Sequence, residues 1–165
     1  MILAIDPGTT QSAFVMLDGG RVAEKGIFEN PDLADILSDQ FYELREVENE
    51  TLYIEMVASY GMAVGKSVFE TCVWIGRFIE AWGGKWEYVY RKDVKMHLCG
   101  NVKAKDSNIR QAIMDLYGSE RSVAIGTKKN PGPLYGVSKD IWAALGVAIT
   151  ARANIKTGEA YERER

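Results

Sequence analysis

Three acidic residues stand at the ends of apolar stretches. Asp6 closes Met1-Ile2-Leu3-Ala4-Ile5, Glu55 closes Leu52-Tyr53-Ile54, and Asp140 opens the run from Ile141 through Trp142 to Ile149. A carboxylate beside buried chain is costly unless a cation or a hydrogen-bond donor meets it. Its oxygens are hard ligands suited to Mg2+ or Mn2+, and three of them on three element ends can form one oxygen-rich metal site. Each has a plainer use as well: Asp6 before Pro7-Gly8 as a turn residue, Glu55 as the partner of a basic group, Asp140 as the cap of the helix that follows it. His97 is the sole histidine, which excludes any multi-histidine metal site. Cys72 and Cys99 have neither zinc-site spacing nor disulfide density and read as core thiols.

The elements that must position these acids can be read from periodicity. Residues 2–6, 12–17 and 21–28 form three short strands, with Asp18-Gly19-Gly20 as a hairpin turn between the second and third. Leu33, Ile36, Leu37, Phe41 and Leu44 then fall at helical spacing, and Asn30-Pro31 suits the start of a helix reaching about Val47. A strand at 51–55 is followed by a glycine-containing loop (Gly61, Gly65), a helix from Lys66 to Trp82 stopped by Gly83-Gly84, and a strand at 86–90. Helices at 93–98 and 106–117, a long loop from Gly118 to Gly136, and a last helix from Ser138 to Asn154 complete the order. The expected fold class is α/β, a mixed β-sheet flanked by α-helices, in an order that resembles a ribonuclease H-like domain.

The chain has 165 residues, 47% of them hydrophobic, which suits one domain over residues 1–154 followed by a charged tail at 155–165. No stretch approaches the roughly 20 apolar residues of a membrane helix, and the start lacks the pattern of a secretory leader, so no membrane association and a cytoplasmic location are expected. The net charge of -3 hides an asymmetry: between Arg91 and Lys129 there are nine Lys or Arg against four acids. A basic segment within an acidic protein can face phosphates, or can simply be a solvated surface.

Four motifs in order give the chain a resemblance to the RuvC family of Holliday junction resolvases, and in particular to its shorter phage-borne relatives. Ile5-Asp6-Pro7-Gly8-Thr9 is similar to the family's first strand, and Ile54-Glu55-Met56-Val57 to its second acidic strand. Val94-Lys95 to Gly100 with Lys103-Ala104-Lys105-Asp106 resembles its helical stretch, and Asp140 with Ala144-Leu145-Gly146-Val147-Ala148-Ile149 its acid-bearing last helix. The resemblance covers most of residues 1–154. It implies a homodimeric, metal-dependent nuclease for branched DNA, with Asp6 bridging two Mg2+ or Mn2+ ions, Glu55 on one and Asp140 on the other; a phage setting would imply debranching before packaging.

The same resemblance places Lys95, Lys103, Lys105 and Arg110 on a DNA-binding face, with Lys128 and Lys129 in the loop behind. Tyr60 is either an aromatic probe of an open junction or packing beneath its loop. One departure stands out: the family carries a further acid or related ligand one helical turn beyond Asp140, and this chain has Ala143. Three carboxylates and water then suffice, a neighbour such as Asp93 or Glu70 fills in, or the chain binds junctions and cuts weakly. Trp74, Ile75, Phe78, Ile79 and Trp82 leave the helix at 66–82 apolar on more than one face, as covering by a second copy requires. A sugar-kinase or actin-like phosphotransferase shares an Asp-x-Gly-Thr opening, but 165 residues are short for two lobes and no second phosphate loop is present.

Overall fold

Apolar runs separated by Pro7-Gly8 and Gly19-Gly20 at the start of the chain produce a three-stranded antiparallel meander. It comprises β1 (Ile2–Asp6), β2 (Gln11–Asp18) and β3 (Arg21–Glu29). The structure is a computed structural model that describes residues 1–46, 50–59 and 61–157. Gly19 and Gly20 turn the second hairpin with φ of 56° and 102°, a region that favours glycine. Two further strands, β4 (Leu52–Met56) and β5 (Trp86–Tyr90), add in parallel, giving the order β3-β2-β1-β4-β5. The expected mixed α/β sheet is therefore present.

Period-2 alternation gives the sheet two apolar faces, each covered by helices. On one, Leu3, Ile5, Phe14, Leu52 and Ile54 pack with Leu33, Leu37, Phe41, Ile75, Phe78 and Trp82. These come from α1 (Asn30–Asp35), a π-helical turn (Ile36–Gln40) with Phe41 after it, and α3 (Lys66–Trp82). The single helix expected at 31–47 is thus divided, with α2 (Tyr42–Glu46) following Phe41. Leu33, Leu37 and Phe41 lie four apart, and a straight α-helix would rotate them away from the sheet by about 40° per step. The wider turn, closed by the Phe41 N–H on the Ile36 carbonyl at 3.2 Å, takes up that rotation and keeps all three buried.

On the other face Ile2, Ala4, Ala13, Val15, Tyr53 and Val89 pack against α4 (Arg91–Cys99), α5 (Asp106–Tyr117) and α7 (Ile141–Thr157). From Ile141 to Ala151 the last helix is buried nearly all round, because the sheet lies on one side and α4 and α5 on the other. It runs to Thr157, past the start of the tail expected at 155; residues 158–165 lie outside the described residues. The segment expected as a loop at 118–136 contains a short helix, α6 (Arg121–Ala124), and a bridge between Gly126 and Pro131. Leu134, fully buried, ties it down through its N–H on the Ala124 carbonyl at 2.8 Å. Both cysteines are free and half-buried. Among the described residues no helix is long and apolar enough to cross a membrane.

Candidate active site

Register brings the first two acids together. β1 and β4 run parallel with Ile5 opposite Ile54, so the residues that follow, Asp6 at the end of β1 and Glu55 one residue before the end of β4, lie side by side. Ile2, Ala4 and Tyr53 face α7, and alternation sends Asp6 and Glu55 to that same face. β5 continues the pattern: Glu55 pairs with Val89, and two residues on the chain reaches Arg91, the first residue of α4.

A buried polar trio holds the turn after Asp6. The Ser12 hydroxyl accepts from the Gly8 N–H at 3.0 Å and donates to Asn30 Oδ1 at 2.6 Å, while Asn30 Nδ2 donates to the Gly8 carbonyl at 3.0 Å. Asn30 is therefore not the helix cap its place before Pro31 suggests; Glu29 occupies that position, and the Asn30 side chain serves the Asp6 turn. A Cβ on Gly8 would lie 2.2 Å from the Gln11 carbonyl oxygen, so the turn closes only around glycine.

The electrostatics are those of crowded acids around one base. Burial, then the charges of Glu55 and Asp140, push the Asp6 carboxyl up to about 8, against the pull of Arg91. Burial also raises Glu55, outweighing the opposite charge of Arg91. Arg91 lies 3.5 Å from Glu55 Oε2 through one guanidinium nitrogen and 2.5 Å from Asp106 Oδ1 through the other. Its pKa is raised: burial works against the charge, but Glu55 and Asp106 more than offset it.

Three cavities meet here. One of about 270 Å³ is lined by Asp6, Pro7, Glu55, Met56, Val68 and Arg91 among others. The second, about 210 Å³, takes in Arg91, Asp106, Arg110, Asp140 and Ala143, and the third, about 390 Å³, is a groove along Arg91, Lys92, Lys95 and Val102. Glu55 Oε2 is buried without a hydrogen-bond partner among the described residues. That orphaned oxygen beside a carboxyl as strained as Asp6 fits one hard divalent ion, which needs one or two carboxylates and keeps its waters. Among the described residues, however, no three acidic, histidine or cysteine side chains are gathered to hold an ion.

Asp140 lies one residue ahead of α7, exposed, where its carbonyl accepts from the Ala143 N–H at 2.9 Å; it reaches Asp6 through charge rather than as a third wall of the same pocket. Neither neighbour considered as a replacement ligand joins the acids. Asp93 caps α4 by accepting from the Tyr90 N–H at 3.3 Å, and Glu70 pairs with Lys66 at 3.2 Å. Lys95 is half-buried on α4, close enough to lower Glu55. Lys103 and Lys105 are exposed at the entry to α5, Arg110 lies over the Trp142 ring at 5.4 Å, and Lys128 and Lys129 are exposed between the bridged Gly126 and Pro131. Tyr60 lies outside the described residues. Sequence reasoning missed Arg91 and Asp106 as parts of the site. Arg91 follows an apolar strand closely, but its meeting with Glu55 depends on the pairing of β5 with β4.

No protein-family model matches the sequence, and no curated protein matches it either. Solved structures do. The RuvC structure from Thermus thermophilus superposes with a TM-score of 0.65 at 15% identity, covering 95% of this chain and 96% of that one. The fold is that of RuvC. A second RuvC structure from T. thermophilus, in complex with a Holliday junction substrate, superposes with a TM-score of 0.64 at 14% identity over 95% of each chain. The likeness in fold therefore extends over nearly the whole chain.

Proposed function

We propose that this chain is a metal-dependent, structure-selective endodeoxyribonuclease that hydrolyses phosphodiesters in Holliday junctions or other branched DNA. The observation that carries the reading is the pair Asp6 and Glu55, side by side at the ends of β1 and β4 and opening toward a basic groove, within a RuvC fold. Asp6 and Glu55 would hold Mg2+ or Mn2+, with Asp140 adding negative charge at the edge. Such an ion would supply an attacking water of lowered pKa. Lys95, Lys103, Lys105 and Arg110 would position the DNA backbone through its phosphates without reading bases.

A homodimer belongs to this reading, because two symmetry-related incisions turn a four-way junction into two duplexes. Phe69 and Val73, 62% and 56% exposed on successive turns of α3, are the apolar surface available for a second copy. Labelled four-way junctions, flaps, forks and plain duplex, incubated with Mg2+ or Mn2+, test the function. Incision of branched substrates with duplex left intact is expected; equal cutting of duplex would remove the structure selectivity.

A second reading, a junction-binding protein that cuts poorly, is favoured by Ala143 and by the lack of a three-ligand cluster among the described residues. Ala143→Asp separates the two. A gain of about tenfold or more in cleavage with unchanged junction binding identifies a missing ligand, whereas no gain in a protein already active identifies a complete site.

A further inference from the structure

Arg91 borders all three cavities and is held from two sides. One nitrogen is anchored by Asp106 at 2.5 Å, and the other faces Glu55 Oε2 at 3.5 Å, a charge pairing in which neither buried atom has a hydrogen-bond partner among the described residues. Glu55 is 14% exposed, so this pairing is little screened by solvent. The guanidinium thus lies between the pocket walled by Asp6 and Glu55 and the one walled by Asp140 and Ala143. An ion shared between those walls would need the space Arg91 fills, and Ala143 offers it no oxygen.

Resting on the nuclease reading above, we propose that Arg91 is the resident cation of this acid site, standing where a second divalent ion would otherwise bind, so that each chain takes up one such ion, on Asp6 and Glu55. The physical reason is repulsion. A guanidinium a few ångströms from a divalent ion raises its energy by many times the thermal energy even at a protein-like dielectric, and two divalent ions beside it would suffer this twice. Arginine suits a fixed cation because it does not deprotonate and its planar fork can engage two carboxylates at once. Lysine at this position would keep the charge and lose the two-sided grip.

The test is a Mn2+ titration of the metal-free full chain, followed by electron paramagnetic resonance and calorimetry, with cleavage of a junction measured in parallel. One Mn2+ per wild-type chain is expected. Arg91→Gln should take up a second ion or bind the first at least about tenfold more tightly, and Arg91→Lys should stay at one. Two ions of similar affinity in the wild-type chain would overturn the inference while leaving a cleaving enzyme a nuclease. An Arg91→Gln protein that is folded by circular dichroism and unchanged in number and affinity would overturn it as well. No Mn2+ uptake by the wild-type chain would overturn both this inference and the metal-dependent reading beneath it. The wild-type count needs no variant, so misfolding of Arg91→Gln would still leave the question decided.

Discussion

Asp6 is held protonated well above the ordinary carboxylate range, and its ionisation therefore works against folding when no cation is near. With the folded pKa at about 8 and the unfolded value near 4, its stabilising contribution is complete below about pH 4 and disappears as pH rises through 8. Glu55, raised in the same direction, adds to the effect. Metal-free protein should lose stability between pH 5 and pH 8, and Asp6→Asn should recover about 1–2 kcal/mol of it, seen as about 2–4 °C in Tm for each kcal/mol. Thermal melts in chelator check this, and Mn2+ should raise the melting temperature of the wild type but not of Asp6→Asn. A pH-independent wild-type melt would contradict it. Asp6 and Glu55 were legible in the sequence because each acid ends an apolar run. Arg91 was counted there only as charge, since its nearness to Glu55 depends on how β5 pairs with β4, which no local pattern shows. Asp106 was hidden for the same reason, being brought to Arg91 by the packing of α4 and α5.

At the scale of elements, the site depends on a turn between β1 and β2 that is braced by a residue two elements away. Removing the Asn30 amide would strand the Ser12 hydroxyl and the Gly8 carbonyl, at a cost of about 1–3 kcal/mol. Asn30→Ala should therefore lower stability by that amount in urea denaturation and reduce cleavage more than junction binding, because it loosens Asp6 and leaves the basic groove alone. Equal losses of binding and cleavage would show that the trio supports the fold only. Strands, α3, α5 and α7 could be read from periodicity and glycine stops, since each buries one face or, for α7, nearly every face. The helix at 31–47 could not be read as divided, because Leu33, Leu37 and Phe41 satisfy an α-helical template closely enough, and only the demand that all three meet the sheet selects the wider turn. The ordered stretch between Gly118 and Gly136 escaped notice because most of its hydrogen bonds, such as the Leu134 N–H on the Ala124 carbonyl, join backbone groups and leave little trace in residue type.

The whole molecule is acidic yet carries a basic surface beside its acids, and its RuvC architecture was legible from four short motifs even though overall identity to the superposed structures is 15% and 14%. If the basic groove takes DNA phosphates, junction affinity should fall steeply with salt, and Lys103→Ala with Lys105→Ala should make the logarithmic salt slope shallower by about one to two units. Gel-shift titrations at several salt concentrations measure this; an unchanged slope would leave those lysines as solvated surface. Val73→Glu, which places charge on the exposed face of α3, should convert a sedimenting dimer to monomer with little effect on thermal stability, whereas a wild type that is monomeric at micromolar concentration would remove the two-fold arrangement. Most direct of all is single-turnover cleavage of a labelled four-way junction by wild type and Asp6→Asn, each with Mg2+, with Mn2+ and with chelator. Incision should occur only in the wild type with metal, while Asp6→Asn still binds the junction; cutting in chelator, or an Asp6→Asn protein that cuts as well as wild type, would contradict the assignment of these strand-end carboxylates to metal-assisted hydrolysis.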